Sequence, residues 1–204
     1  TRYFSQRQTI MAVYSDTSRS LFVHVPKTGG TSIQHWLVNN TDSLPVKSAK
    51  HWSLDKIQQR DNLPINFSFA VVRNPWDYIV SWYFFKRDRA LRRLSNEFKN
   101  KGKWANDRNQ HAMDEWNKGF EYFVENSTPP CQTELIQGVD FILRLENIES
   151  DFIKIQQTFN CYVPLKTLNA SIRQRDYRSY YTDKTKNIIA EKYINDINDL
   201  GYNF

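Results

Sequence analysis

The sequence predicts an α/β domain with a central, mainly parallel sheet flanked by helices. Short β-favouring apolar runs recur at residues 21–25, 67–72 and 141–143, and a segment with helical spacing of apolar residues follows each of them. The first two runs also stop abruptly at turn-forming residues. Strands that alternate with helices pair in parallel, because a parallel pair needs a crossover long enough to hold a helix.

The first run is Leu21-Phe22-Val23-His24-Val25, ended by Pro26. Beyond Gly29-Gly30, the spacing of Ile33, Trp36 and Leu37 predicts a helix to about Asn39, and Ser53 reads as the N-cap of another. Phe67–Val72 is the second strand. Asn74 then caps, and Pro75 occupies the first turn of, an aromatic-rich helix through Tyr83 or beyond. Phe141-Ile142-Leu143 is the third strand, followed by an amphipathic helix over about Glu149–Phe159 with Phe152, Ile153, Ile155 and Phe159 apolar. A last helix covers about Asp183–Ile197. Residues 86–130 break this pattern: they are basic, polar, Trp-containing and end in Pro129-Pro130. They read as helices and loop inserted over one end of the sheet, where α/β folds place ligands, within one domain spanning 1–204.

With 204 residues, 40% hydrophobic and 25% charged, and only 6 Gly and 7 Pro, the chain is neither collagen-like, low-complexity nor disordered. No window approaches the roughly 18 apolar residues of a membrane-spanning helix. No internal repeat occurs, and Thr1–Ser20 shows no signal-peptide pattern. The sparse cysteines, Cys131 and Cys161, fit two unlinked thiols better than a disulfide. These features point to a cytoplasmic or otherwise soluble protein, and a trimmed lumenal domain would read the same. The four N-x-S/T sequons, at Asn39, Asn66, Asn126 and Asn169, matter only in a secreted chain.

The net charge is +6, and all of it sits at residues 86–108, where nine basic side chains meet the three acidic ones Asp88, Glu97 and Asp107. That stretch marks an anionic partner. A different anion signal lies in Pro26-Lys27-Thr28-Gly29-Gly30-Thr31-Ser32, which joins a strand to a helix. Two glycines let the backbone turn tightly, helix-start N–H groups favour an anion, and Lys27, Thr31 and Ser32 add donors. The lysine precedes the glycines, so this is not the Walker A loop. The plain alternative is a Gly-Gly turn beside a solvated lysine.

The wider string Phe22-Val-His-Val-Pro-Lys-Thr-Gly-Gly-Thr-Ser32, together with Phe69-Ala-Val-Val-Arg-Asn-Pro-Trp-Asp77 and Ser81, resembles the sulfotransferases that use 3′-phosphoadenosine 5′-phosphosulfate (PAPS), most closely their carbohydrate-modifying branch. The ending is also similar, in Leu143–Asn147, Asn169–Arg173, Tyr180-Tyr181 and Asp196–Phe204. The resemblance covers about residues 21–85 and 140–204 and implies a P-loop-type domain. It makes Lys27, Thr28, Gly29, Gly30, Thr31 and Ser32 the 5′-phosphosulfate loop and Arg73 with Ser81 the 3′-phosphate element. It implies PAPS as cosubstrate, with 3′-phosphoadenosine 5′-phosphate as product and no metal.

The residues support these roles independently. Arg73 ends a strand, and its planar fork suits a phosphate, with pairing to Asp77 as the plain alternative. Lys27 and the N–H groups of Thr28–Ser32 suit the charge that develops on a leaving phosphate. His51 is the first choice for the base that takes the acceptor proton, against simple packing beside Trp52, and Glu146 is the runner-up. His24 reads as a residue that packs or supports the loop, and His35 and His111 as bland. Among Arg173, Arg175 and Arg178, which follow the resemblance into the region over the nucleotide, Arg178 is the chosen contact. Trp76, Trp82, Tyr83, Phe84 and Phe85 read as core and cleft wall.

The expected function is sulfuryl transfer by in-line displacement to a hydroxyl or amine, on a small-molecule or glycan acceptor that the basic stretch marks as anionic. The rival readings are a phosphate-loop kinase, which lacks its Walker lysine and magnesium ligands here, and a nucleic-acid module built on residues 86–108, which lacks a recognised motif.

Overall fold

In the computed structural model, which describes residues 11–47, 49, 51–94, 110, 111, 113–168 and 173–204, the chain opens with β1 (Val13–Ser15), β2 (Ser20–Val23) and helix α1 (Gly30–Asn40). There follow β3 (Leu44–Pro45), α2 (Leu54–Asp61), β4 (Phe67–Val72), α3 (Pro75–Leu94) and, later, β5 (Phe141–Arg144). Lys99, Lys101, Lys103, Trp104 and Arg108 of the basic stretch, Lys50, Asn169–Ile172, the residues before Met11 and the side chain of Arg93 lie outside the described residues. The described chain divides into two compact units, Thr1–Arg73 with Cys131–Ala170, and Asn74–Pro130 with Ser171–Phe204.

The first unit holds the sheet, in the order β3-β1-β2-β4-β5. The three strands read from the sequence are its parallel part, β2-β4-β5, with Phe22 opposite Phe69 and Phe69 opposite Phe141. Buried on both faces, such strands read as continuous apolar runs, and in β4 only Phe67 is not fully buried. The one polar residue inside β4, Ser68, donates its N–H and Oγ to Asp140 at 2.7 and 2.6 Å, so its burial leaves no bond unmade. The sequence reading missed β1 and β3, which pair antiparallel on the outer side of β2. At three and two residues they are too short to show a period. Asp42 ties β1 down by accepting from Ser15 Oγ (2.6 Å) and Thr17 N (2.9 Å); these bonds outweigh burial, which alone would raise it, and hold its carboxyl below the usual range. The core between sheet and helices joins Phe22, Phe69 and Leu143 to Ile33, Trp36 and Leu37 of α1 and to Phe152 and Ile155 of the helix Ile148–Thr158. No disulfide joins Cys131 to Cys161.

The second unit is helical. Asn74 caps α3 as expected, its Oδ1 accepting from Trp76 N at 3.1 Å. The predicted last helix is two helices, Asp183–Lys192 and Ile194–Leu200, because the fully buried Tyr193 leaves helical geometry between them and donates its hydroxyl to Pro129 O. Trp76, Tyr83 and Phe84 are buried, so the aromatics of α3 pack as expected, with Tyr83 against Trp116, Phe120 and Phe123. Part of the basic stretch also serves this packing. Lys86 lies over Phe123 and donates to Ser127 O at 3.1 Å, burial lowering its pKa, while Arg87 pairs with Asp88 and covers Phe84. Arg89 and Arg92 are exposed. Among the described residues no helix is long and apolar enough to cross a membrane.

Candidate functional site

The loop Pro26–Gly29 leaves the edge of the parallel sheet and enters α1. Two of its residues adopt the left-handed conformation, Lys27 at φ 65° and Gly29 at φ 86°. Gly29 tolerates this; Lys27 does so at a cost of about 1–2 kcal/mol, a strain characteristic of functional loops. Among the described residues no side chain caps the start of α1, and its first turn holds no acidic residue, which favours an anion at its positive dipole end. Thr28 is fully buried with its hydroxyl donating to Val25 O at 2.9 Å, which holds the loop shut. The Ser32 N–H donates to Gly29 O (2.9 Å) and its Oγ accepts from Leu168 N (2.9 Å). The Ser32 N–H is thus engaged within the first turn of the helix.

Arg73, at the end of β4, reaches this loop. Its Nη1 donates to the Lys27 carbonyl at 3.1 Å. Gln132, with no exposed surface, fixes Arg73 from below: its Oε1 accepts from Arg73 N (2.9 Å) and its Nε2 donates to Arg73 O (2.7 Å). The sequence reading missed Gln132, since a single glutamine 59 residues away from its partner leaves no local signal. Gln132→Ala leaves both main-chain groups unpaired and lowers stability by about 2 kcal/mol, readable as a shift of the urea midpoint.

His51 also lies at the loop. Its backbone is left-handed (φ 59°), its Nδ1 is 3.4 Å from His24 O, and its ring lies tilted against that of His24 with centroids 4.8 Å apart. The ring of its neighbour Trp52 carries Lys56 and Arg60 at 4.5 and 4.4 Å. His24, 3% exposed, in turn abuts Gly30, so it supports the loop as expected. Glu146 is exposed in the 3-10 turn Leu145–Asn147, next to Leu145, whose Cδ1 faces Gly29. His35 lines an open cavity of about 940 Å³ that runs along α1 from Ser32 to Leu44 and is walled by Val163, Pro164 and Lys166.

The remaining predicted residues belong to the second unit. Ser81 is 3% exposed in the interior of α3. Arg178 is exposed, 4.7 Å over Tyr177 and beside Asp176. Asp77, the expected alternative partner of Arg73, holds Arg173 at 2.6 Å.

A sulfotransferase family model matches residues 11–203. The chain belongs to the sulfotransferase family. No curated protein and no solved structure matches it. In this sulfotransferase the matched span contains the whole sheet, the loop and Arg73, and the fold is the P-loop-like one of the family. Membership makes sulfuryl transfer, rather than the phosphoryl transfer of a kinase, the chemistry to be explained.

Proposed function

We propose that this sulfotransferase takes its sulfuryl group from PAPS and places it on a hydroxyl or amine of a carbohydrate, with residues 1–204 acting as one sulfotransferase-like domain. The observation that carries the reading is the bond from Arg73 to the carbonyl of Lys27, which assembles a strand-end guanidinium and a strained, uncapped phosphate loop at one edge of the parallel sheet. That donor set fits a nucleotide with phosphates at two positions. Lys27 and the N–H groups of Thr28–Thr31 hold the 5′-phosphosulfate and stabilise charge on the leaving phosphate; Arg73 binds the 3′-phosphate. Ser81 and Arg178 join that binding on the strength of the resemblance alone. The cavity along α1, whose wall includes Ser32, offers room for the adenosine.

PAPS supplies an activated S–O bond; the protein supplies position and a base. His51 takes the acceptor proton, and an Nδ1–H directed at His24 O leaves Nε2 as the accepting nitrogen. His51→Ala lowers kcat by about a hundredfold or more, and a wild-type rate would move the role to Glu146. The acceptor is an anionic glycan bound by the basic stretch of residues 86–108. Reversing the charges of Arg92 and Arg93 raises the acceptor KM and spares donor affinity; a joint loss of both would show that this charge serves the donor.

The deciding experiment is calorimetry with 3′-phosphoadenosine 5′-phosphate, ATP with magnesium, and an oligonucleotide. Binding of the bisphosphate alone is expected. Tight binding of ATP without the bisphosphate overturns the reading, and preferential binding of the oligonucleotide restores the nucleic-acid one.

A further inference from the structure

We infer that His24 is the positioning residue of this site, a buried imidazole that sets the distance and orientation between the phosphate loop and His51. The inference rests on reading His51 as the proton acceptor. His24 interrupts an otherwise apolar strand-end run, Val23-His24-Val25, at a position 3% exposed, where an aliphatic side chain would satisfy burial as well. Both faces of its environment require a flat ring instead.

On one side lies Gly30. A Cβ there would stand 2.1 Å from His24 Cδ2 and 2.4 Å from Nε2, so the ring edge occupies the space that any other residue at position 30 would fill. On the other side the His51 ring lies tilted at 4.8 Å with planes 32° apart, an aromatic contact. The left-handed backbone of His51 is unfavourable for a residue with a side chain and persists where surroundings over-determine it. The His24 ring and carbonyl are those surroundings: the carbonyl lies 3.4 Å from His51 Nδ1 and selects its tautomer, and the ring holds its plane. A shift of the loop through Gly30 is thereby passed to His51 through one rigid group.

The test compares wild type with His24→Ala, which removes the ring, His24→Phe, which keeps a flat ring, and His24→Asn, which keeps a polar stem without one. Nitrogen NMR of isotope-labelled histidine reads the His51 tautomer directly. Wild type and His24→Phe are expected to show one tautomer with Nδ1 protonated. His24→Ala and His24→Asn are expected to show a mixture, and to lower kcat for sulfuryl transfer from PAPS to chondroitin about tenfold or more while the acceptor KM changes less than about twofold. If His24→Ala does not fold, the contrast between His24→Phe and His24→Asn decides. Unchanged His51 nitrogen shifts in the ring-deleted variants, with kcat within about twofold of wild type, overturn the inference. Wild-type affinity for 3′-phosphoadenosine 5′-phosphate separates the two readings: its absence removes the donor assignment, whereas a missing tautomer response removes only the role of His24.

Discussion

Lys27→Ala is expected to lower sulfuryl transfer by about a thousandfold or more while the protein stays folded. In the proposed mechanism the loss is large because the ammonium acts on charge that appears only as the S–O bond breaks, where the other proposed donors to that phosphate are main-chain N–H groups that cannot move to replace it. Stability is expected to change little, for two reasons. The lysine is only half-buried, and its strained backbone at φ 65° is as costly for alanine as for lysine, so the strain persists in the variant. Thermal unfolding and a radiolabelled-sulfate transfer assay on the same preparation check both halves. Transfer near the wild-type rate would remove the mechanistic core of the proposed function, while a large drop in melting temperature would show that Lys27 holds the loop together rather than serving the reaction.

Gly30→Ala carries the second large effect, and its sign separates two arguments. Helix propensity alone makes alanine at the start of α1 better than glycine by up to about 1 kcal/mol. The Cβ, however, lands 2.1 Å from a ring atom of the buried His24, and that ring is itself in contact with the His51 ring. Overpacking of this kind costs about 1–3 kcal/mol, so the clash outweighs the propensity and the variant is destabilised. Because the strain falls on the loop, affinity for 3′-phosphoadenosine 5′-phosphate is expected to fall about tenfold or more. Combining Gly30→Ala with His24→Ala opens the space again, so the double variant is more stable than the sum of its parts predicts, a coupling that calorimetric unfolding of the four proteins measures. Additive effects would mean that the ring and the glycine do not constrain one another.

The elements legible from the sequence share a physical origin. β2, β4 and β5 read as continuous apolar runs, and α1, α3 and the helix Ile148–Thr158 each bury a face that impresses a helical period on consecutive residues. The features that escaped have no such local imprint. β1 exists because β2 offers it an edge and β3 because β1 does, Tyr193 interrupts a helical pattern to bury its ring, and Gln132 meets Arg73 across 59 residues of chain. In the loop, the residue types were legible but their division of labour was not. Thr28 and Ser32 fall alike in the sequence motif, yet the Thr28 hydroxyl holds Val25 and the Ser32 hydroxyl accepts from Leu168.

By itself, then, the sequence determined the α/β class with its mainly parallel sheet, the strand–loop–helix turn at residues 26–32 and the family, because spacing, glycine placement and strand-ending residues are properties of short stretches. Only the tertiary structure decided that Arg73 braces the Lys27 carbonyl, that Gln132 fixes Arg73, and that His24 stands between Gly30 and His51. Hydrogen bonds and ring contacts are directional over a few ångströms, and which distant residues meet within that range is set by the packing of the whole unit rather than by any one segment.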